Sequence, residues 1–135
     1  MKQPIILYHM EYLKCDIMMK VLLIDDNESI TEMMSKYLIG KGHECTVAND
    51  GRNGLTRIEQ EKFNVILLDL AMPEFTGVDV IEHLYKNGSI GKHKIILFTA
   101  SSITDEEIQK LIKKGAHSCL KKPVKLEVLL KTIGA

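Results

Sequence analysis

The chain has 135 residues, 45% of them apolar and 27% charged, with 18 basic and 18 acidic side chains. That is one domain's length, enough to bury about two-thirds of the unfolded surface without disulfide staples. The apolar content excludes a disordered chain, and the zero net charge argues against an overall nucleic-acid or membrane-surface binder. Cys15, Cys45 and Cys119 are odd in number and far apart, with no Cys-x-x-Cys and no zinc spacing. They read as free thiols of a reducing compartment. No apolar run reaches the ~18–20 residues of a membrane span. The stretch 5–19 is broken by His9, Glu11, Lys14 and Asp16 and has no small-residue cleavage site, so no signal peptide is expected and the location is read as cytoplasmic.

In chain order, residues 1–19 read as an N-terminal extension. Pro4 suits a first helical position, and Ile6, Met10, Leu13 and Ile17 follow helical spacing, which gives a short amphipathic helix in search of a groove on this chain or on a partner. From residue 20 the pattern alternates between two periods. Val21-Leu22-Leu23-Ile24 is a continuous apolar run ending in charge, as in strands buried on both faces. Ile30, Met33, Met34, Tyr37 and Leu38 then recur at helical spacing, with Asn27 or Ser29 as cap and Gly40 and Gly42 as terminators. Both Met33 and Met34 are assigned to the core. Cys45-Thr46-Val47-Ala48 is a weaker strand, and Leu55 and Ile58 sit in a short helix after Asp50-Gly51. Val65-Ile66-Leu67-Leu68 is a buried strand ending in Asp69. After a loop from Pro73 to Gly77, the residues Val78, Ile81, Leu84 and Tyr85 give a third helix that stops near Gly88. Ile95-Ile96-Leu97-Phe98 is a strand ending in Thr99. Thr104-Asp105-Glu106-Glu107 is a capping-box pattern ahead of Ile108, Leu111 and Ile112. Ser118-Cys119-Leu120 is a last weak strand before Lys121-Lys122-Pro123, and 124–133 closes as a helix.

Five strands alternating with five helices imply an α/β fold. It is a doubly wound five-stranded parallel sheet, helices on both faces, joined by right-handed crossovers. In such sheets ligands bind beyond the carboxyl ends of the strands. Those ends carry Asp25-Asp26, Asp69, Thr99 and Lys122. Three crowded acids repel, and their pKa values rise unless a cation sits among them. Hard oxygen donors suit Mg²⁺, which keeps several waters and binds phosphate oxygens. A hydroxyl and a lysine can hold the remaining phosphoryl oxygens, and a carboxylate can itself accept a phosphoryl group. The set reads as an in-line phosphoryl-transfer site with Asp69 as acceptor.

The segments Leu23-Ile24-Asp25-Asp26-Asn27, Leu67-Leu68-Asp69-Leu70-Ala71-Met72-Pro73-Glu74-Phe75-Thr76-Gly77, Phe98-Thr99-Ala100 and Lys121-Lys122-Pro123 closely resemble the receiver domain of two-component response regulators, of the CheY-like type. The resemblance covers residues 20–135. It implies a flavodoxin-like fold of strand order 2-1-3-4-5 and a Mg²⁺ site at Asp25, Asp26 and Asp69. In that site Asp26 is a direct ligand, Asp25 acts mainly through water, and the backbone carbonyl of Ala71 completes the set. It implies phosphoryl acceptance on Asp69 from a histidine kinase, phosphoryl binding by Thr99 and Lys122, access past the small Ala100, and a cis Lys122-Pro123 bond. The function implied is a stand-alone phosphoacceptor switch that acts by protein contact on a downstream target. It is not an enzyme on a separate substrate, does not bind nucleic acid directly and has no membrane span. Two features depart from the family. Cys119 stands where relatives often carry a Tyr or Phe whose rotation reports phosphorylation, and the family lacks an extension like residues 1–19.

Other functions fit less well. A pseudo-receiver would have lost an acid, the Thr or the Lys. An aspartate-nucleophile phosphatase would carry a second Asp at the place of Ala71. A flavodoxin would need a Ser/Thr-rich phosphate loop where Asp25-Asp26-Asn27-Glu28 would repel phosphate. His9, His43, His83, His93 and His117 show no ligand spacing. Asn27-Glu28-Ser29 and Asn87-Gly88-Ser89 match a glycosylation pattern that has no meaning for a cytosolic chain. From residue 106 onward seven Lys outnumber three Glu, a basic face that a partner could read.

Overall fold

The computed structural model describes residues 17–100 and 102–134. The helix expected within the first 19 residues therefore falls largely outside the described residues, and Ile17 to Met19 are not helical. The strands are β1 (Lys20–Ile24), β2 (Glu44–Ala48), β3 (Val65–Asp69), β4 (Ile95–Thr99) and β5 (Ser118–Lys121). They form one parallel sheet in the order β2-β1-β3-β4-β5. The connecting helices are α1 (Glu28–Gly40), α2 (Gly51–Gln60), α3 (Gly77–Lys86), α4 (Asp105–Lys114) and α5 (Leu126–Gly134).

The apolar runs serve two faces at once because successive side chains in a strand point opposite ways. Leu22, Ile24, Ile66, Leu68, Ile95 and Leu97 face α2, α3 and α4. Val21, Leu23, Val65, Leu67, Ile96 and Phe98 face α1 and α5. Every residue of β3 and β4 is buried. Each such Leu, Ile or Val contributes roughly 1.5–3 kcal/mol relative to exposure. That is why the central strands carry almost no polar atoms until their last residue.

Helix starts follow the sequence closely. The side chains of Asn27, Asp50 and Thr104 accept hydrogen bonds from the backbone N–H groups of Ile30, Asn53 and Glu107. The reciprocal capping box forms at Thr76 and Asp79, where the sequence pattern was not read, while Thr104 makes only the hydroxyl half. Two other expectations are corrected, and one element is added. Met34 is core, but Met33 is 51% exposed because it lies a helical step off the buried Met34–Leu38 line. The fifth helix starts at Leu126 rather than at 124: its first bonds run from the N–H groups of Val128 and Leu129 to the Lys125 carbonyl, which makes Lys125 the flanking residue. A short 3-10 turn, Ile90–Lys92, buries Ile90 ahead of β4 and had no sequence signal.

Candidate functional site

Parallel pairing brings all the carboxyl ends of the strands to one edge of the sheet. Asp25 follows β1 directly, Asp69 ends β3 beside Phe98 of β4, and Thr99 ends β4 beside Lys121 of β5. Lys122 is tied to this edge because its N–H donates to the Thr99 carbonyl at 2.7 Å. The Lys122-Pro123 bond is cis.

Three of the sequence-predicted acids meet. Asp25, Asp26 and Asp69 each present a carboxylate oxygen within 4.8 Å of the others. Asp69 and Asp25 are buried at 2% and 6% exposure, while Asp26 faces solvent. The Lys122 ammonium lies among them, donating to Asp25 Oδ2 at 2.8 Å and to Asp69 Oδ1 at 3.4 Å, with its charge 5.3 Å from the Phe98 ring centre. The expected repulsion and its remedy are thus both present. Burial first, and the Asp25 charge second, push the Asp69 carboxyl up to about 6, against the pull of Lys122 and of the Ala71 N–H. Burial also disfavours the Lys122 ammonium. Its hydrogen bond to Asp25 and the charges of Asp25 and Asp69 outweigh that, so its pKa lies above the usual lysine value.

The remaining predicted residues lie at the same edge but differ in readiness. Ala71 is exposed, and its N–H reaches Asp69 Oδ1 at 3.4 Å. Thr99 is fully buried, and its hydroxyl donates to the Ala100 carbonyl at 3.1 Å, so it must rotate before it can serve a ligand in the cleft. Cys119, paired with Leu97 in the sheet, is half-buried, and burial above all raises its thiol pKa.

Several supporting residues were not anticipated. Asn49 donates from its side-chain amide to the Asp25 carbonyl at 2.9 Å and to the buried Thr31 hydroxyl at 3.2 Å, which fixes the backbone beneath the acid pair. The Asn27 N–H holds Asp25 Oδ1 at 2.9 Å. The loop after Asp69 is clamped by two helix starts. A Cβ on Gly77 would stand 2.2 Å from the Asp69 carbonyl oxygen, and one on Gly51 would stand 2.1 Å from that of Phe75. The Arg52 guanidinium covers the Phe75 ring at 4.7 Å. A glycine at the first position of a helix was the available signal, since helix starts have little other use for it.

Among the described residues this is the one cluster of three or more acidic, His or Cys side chains able to share a metal ion. Hard carboxylate oxygens on two short loops fit Mg²⁺ or a similar oxygen-seeking cation. No helix of the described residues is long and apolar enough to cross a membrane.

Comparison with known proteins agrees with this geometry. A family model described as the response regulator receiver domain matches residues 21–134. Protein PilH of Pseudomonas aeruginosa is 33% identical over 120 residues, which cover 87% of this chain and 97% of that protein. The sensor histidine kinase RcsC of Salmonella typhimurium is 29% identical over 115 residues, 85% of this chain, but the chain spans only 12% of RcsC. Among solved structures, the chemotaxis protein CheY4 of Vibrio cholerae superposes with a TM-score of 0.77 at 33% identity, covering 87% of this chain and 97% of that one.

Proposed function

The chain belongs to the response regulator receiver domain family, and on that premise we propose that it takes a phosphoryl group onto Asp69 from the phosphohistidine of a sensor kinase and relays the signal by protein contact. Receiver domains are signalling proteins that work with histidine kinases and bind Mg²⁺ through an acidic pocket. The observation that supports the finer assignment is the cluster itself. Asp69 is buried, its oxygen lies within 4.8 Å of those of two further acids, and a lysine is hydrogen-bonded to two of the three.

Asp26 and Asp69 would hold Mg²⁺ directly, together with the carbonyl of Ala71, and Asp25 would act mainly through water. When bound, the ion supplies positive charge to the acids and to the phosphoryl oxygens. In the transfer an Asp69 oxygen attacks phosphorus, the new O–P bond forms, and the P–N bond to imidazole breaks in line. The electron pair leaves with the imidazole nitrogen, which becomes protonated. Asp69 is pushed up only to about 6, still below neutral pH, so the ionised nucleophile is available at pH 7. Lys122 moves its charge from the carboxylates to the transferred oxygens, and Thr99 turns its hydroxyl from Ala100 to the same group. The partner would read the surface formed by the loop after β4 and the Lys-rich face beyond residue 106.

Intact mass spectrometry after incubation with acetyl phosphate and Mg²⁺ tests this. The expected result is one added phosphoryl group on the wild type and none on Asp69→Asn. A stable, Mg²⁺-dependent phosphoryl adduct on Asp69→Asn would overturn the assignment.

A further inference from the structure

One polar side chain beside the acid cluster has no part in the phosphoryl chemistry. Asn49 follows β2 directly and is half-buried. Its side-chain nitrogen lies 2.9 Å from the Asp25 carbonyl oxygen and 3.2 Å from the Thr31 hydroxyl. A carbonyl only accepts, so the nitrogen of the amide, not its oxygen, must face Asp25. The Thr31 hydroxyl gives its own hydrogen to the Glu28 carbonyl at 3.2 Å, which leaves its oxygen to accept the second amide hydrogen. Thr31 is 3% exposed, so this end of the chain of bonds lies out of water, where each bond is stronger.

The carbonyl that Asn49 holds belongs to the peptide group joining Asp25 to Asp26. That group is planar and rigid, so a bond to its oxygen fixes the chain on both sides of it. The Asp25 N–H is held in turn by the carbonyl of Ala48, the neighbour of Asn49, at 3.1 Å. On the far side, the Asn27 N–H bonds Asp25 Oδ1 at 2.9 Å, and the Thr31 N–H bonds the Asn27 carbonyl at 3.1 Å. The two acids thus sit on a turn tied to the end of β2 on one side and to the first turn of α1 on the other. The Asn49 amide reaches both. Asp26 itself is exposed, so the direction of its carboxylate depends on the backbone that carries it. We infer that Asn49 is a positioning residue of the metal site, and that by holding the Asp25-Asp26 peptide it sets a preference for Mg²⁺ over larger cations. The inference rests on the reading of Asp25, Asp26 and Asp69 as a Mg²⁺ site. Mg²⁺ demands near-octahedral ligands at about 2.0–2.1 Å, whereas Ca²⁺ accepts oxygens at about 2.3–2.6 Å in flexible arrangements. Acids that are free to drift therefore lose Mg²⁺ before Ca²⁺.

Titration of the full chain with Mg²⁺ and, separately, with Ca²⁺, followed by amide NMR, tests this on the wild type, Asn49→Ala and Thr31→Val. Asn49→Ala is expected to weaken Mg²⁺ binding about tenfold, the low end for a residue that orients metal ligands, and Ca²⁺ binding about threefold at most. Thr31→Val keeps the bond to Asp25 and loses the tie to α1, so its ratio of Mg²⁺ to Ca²⁺ affinity is expected between those of the other two proteins. Equal losses for the two cations in Asn49→Ala are what a general loosening of the fold would give, and they overturn the inference. Unchanged Mg²⁺ affinity in that variant overturns it as well. Should Asn49→Ala not fold, Thr31→Val decides alone, and a wild-type ratio of the two affinities in it overturns the inference. A wild type that binds neither cation overturns the reading of the acids as a metal site and the inference with it, and is told apart because it shows before any substitution is made. None of these outcomes depends on whether Asp69 accepts a phosphoryl group.

Discussion

At the scale of single residues, the site is held by a buried charge balance whose parts can be removed one at a time. Asp69 has its pKa raised from the usual 3.8 to about 6, so its contribution to stability is complete below about pH 4 and is lost as pH rises through 6. Above that pH the ionised side chain is a cost to the metal-free fold. Asp69→Asn should therefore stabilise the metal-free protein by roughly 1–2 kcal/mol at pH 8 and by almost nothing at pH 4. Urea unfolding in a chelator at the two pH values checks this, and equal shifts at both would contradict the charge balance. The cations divide differently. Lys122 competes with a metal ion for Asp25 and Asp69, so Lys122→Ala should leave Mg²⁺ affinity intact or tighter while impairing the response to phosphorylation. Asp26→Ala removes an exposed carboxylate of the proposed metal site, and should weaken Mg²⁺ binding and slow phosphorylation together. Mg²⁺ titrations followed by NMR separate the two, and a similar collapse of affinity in both variants would defeat this division of roles.

At the scale of elements, what was legible in the sequence was whatever depends on local periodicity. The continuous runs at 21–24, 65–68 and 95–98 became β1, β3 and β4 because a strand covered on both faces needs an apolar side chain at every position. Thr104 was legible as a cap for the same local reason, and Asn27 as one of two candidates with Ser29. The strand-end placement of Asp25, Asp69, Thr99 and Lys122 followed from counting where each apolar run stops. The features that were not legible depend on residues distant in sequence. Asn49 braces Asp25 across 24 positions, and the same amide holds the Thr31 hydroxyl 18 positions away. Gly77 belongs to this second kind. Its Cα approaches the Asp69 peptide so closely that a Cβ would press on backbone atoms, 2.2 Å from the carbonyl oxygen and 2.8 Å from the Leu70 Cα, and neither can rotate away. Gly77→Ala should cost more than about 2 kcal/mol and slow phosphoryl uptake by shifting Asp69, as expected for forced backbone displacement. Gly91→Ala is the control, because nothing stands within 4 Å of its Cβ position. Chemical denaturation of both variants, with a loss at Gly77 no larger than at Gly91, would show that the close approach carries no weight.

At the scale of the whole molecule, the question is how a charge added at one edge of the sheet changes a surface that a partner can read. The proposed phosphorylation would replace the single carboxylate charge of Asp69 by the roughly one and a half to two negative charges of a phosphoryl group. The groups free to answer are Lys122, now bonded to Asp25 and Asp69, and the Thr99 hydroxyl, now bonded to the Ala100 carbonyl. Rotation of Thr99 removes the hydrogen bond that holds Ala100. The turn that follows is loosely fastened, with the Ile103 N–H 3.5 Å from the Ala100 carbonyl. Displacement of Lys122 pulls on the same region, since its N–H is bonded to the Thr99 carbonyl and its neighbour Lys121 is paired with Asp105 at the start of α4 at 3.0 Å. Two separate links therefore converge on the loop between β4 and α4, whereas Cys119 is too small to sweep the volume that an aromatic ring would. A signal arises only if the phosphorylated state favours one arrangement of this loop through such differential contacts. Backbone NMR with and without a phosphoryl mimic should show its largest shifts outside the acid cluster at Ala100, Ile103, Thr104 and Asp105, with small shifts at Cys119. Changes concentrated on Cys119 and Leu120, with the loop from Ala100 to Thr104 unmoved, would mean that the signal leaves through β5 instead.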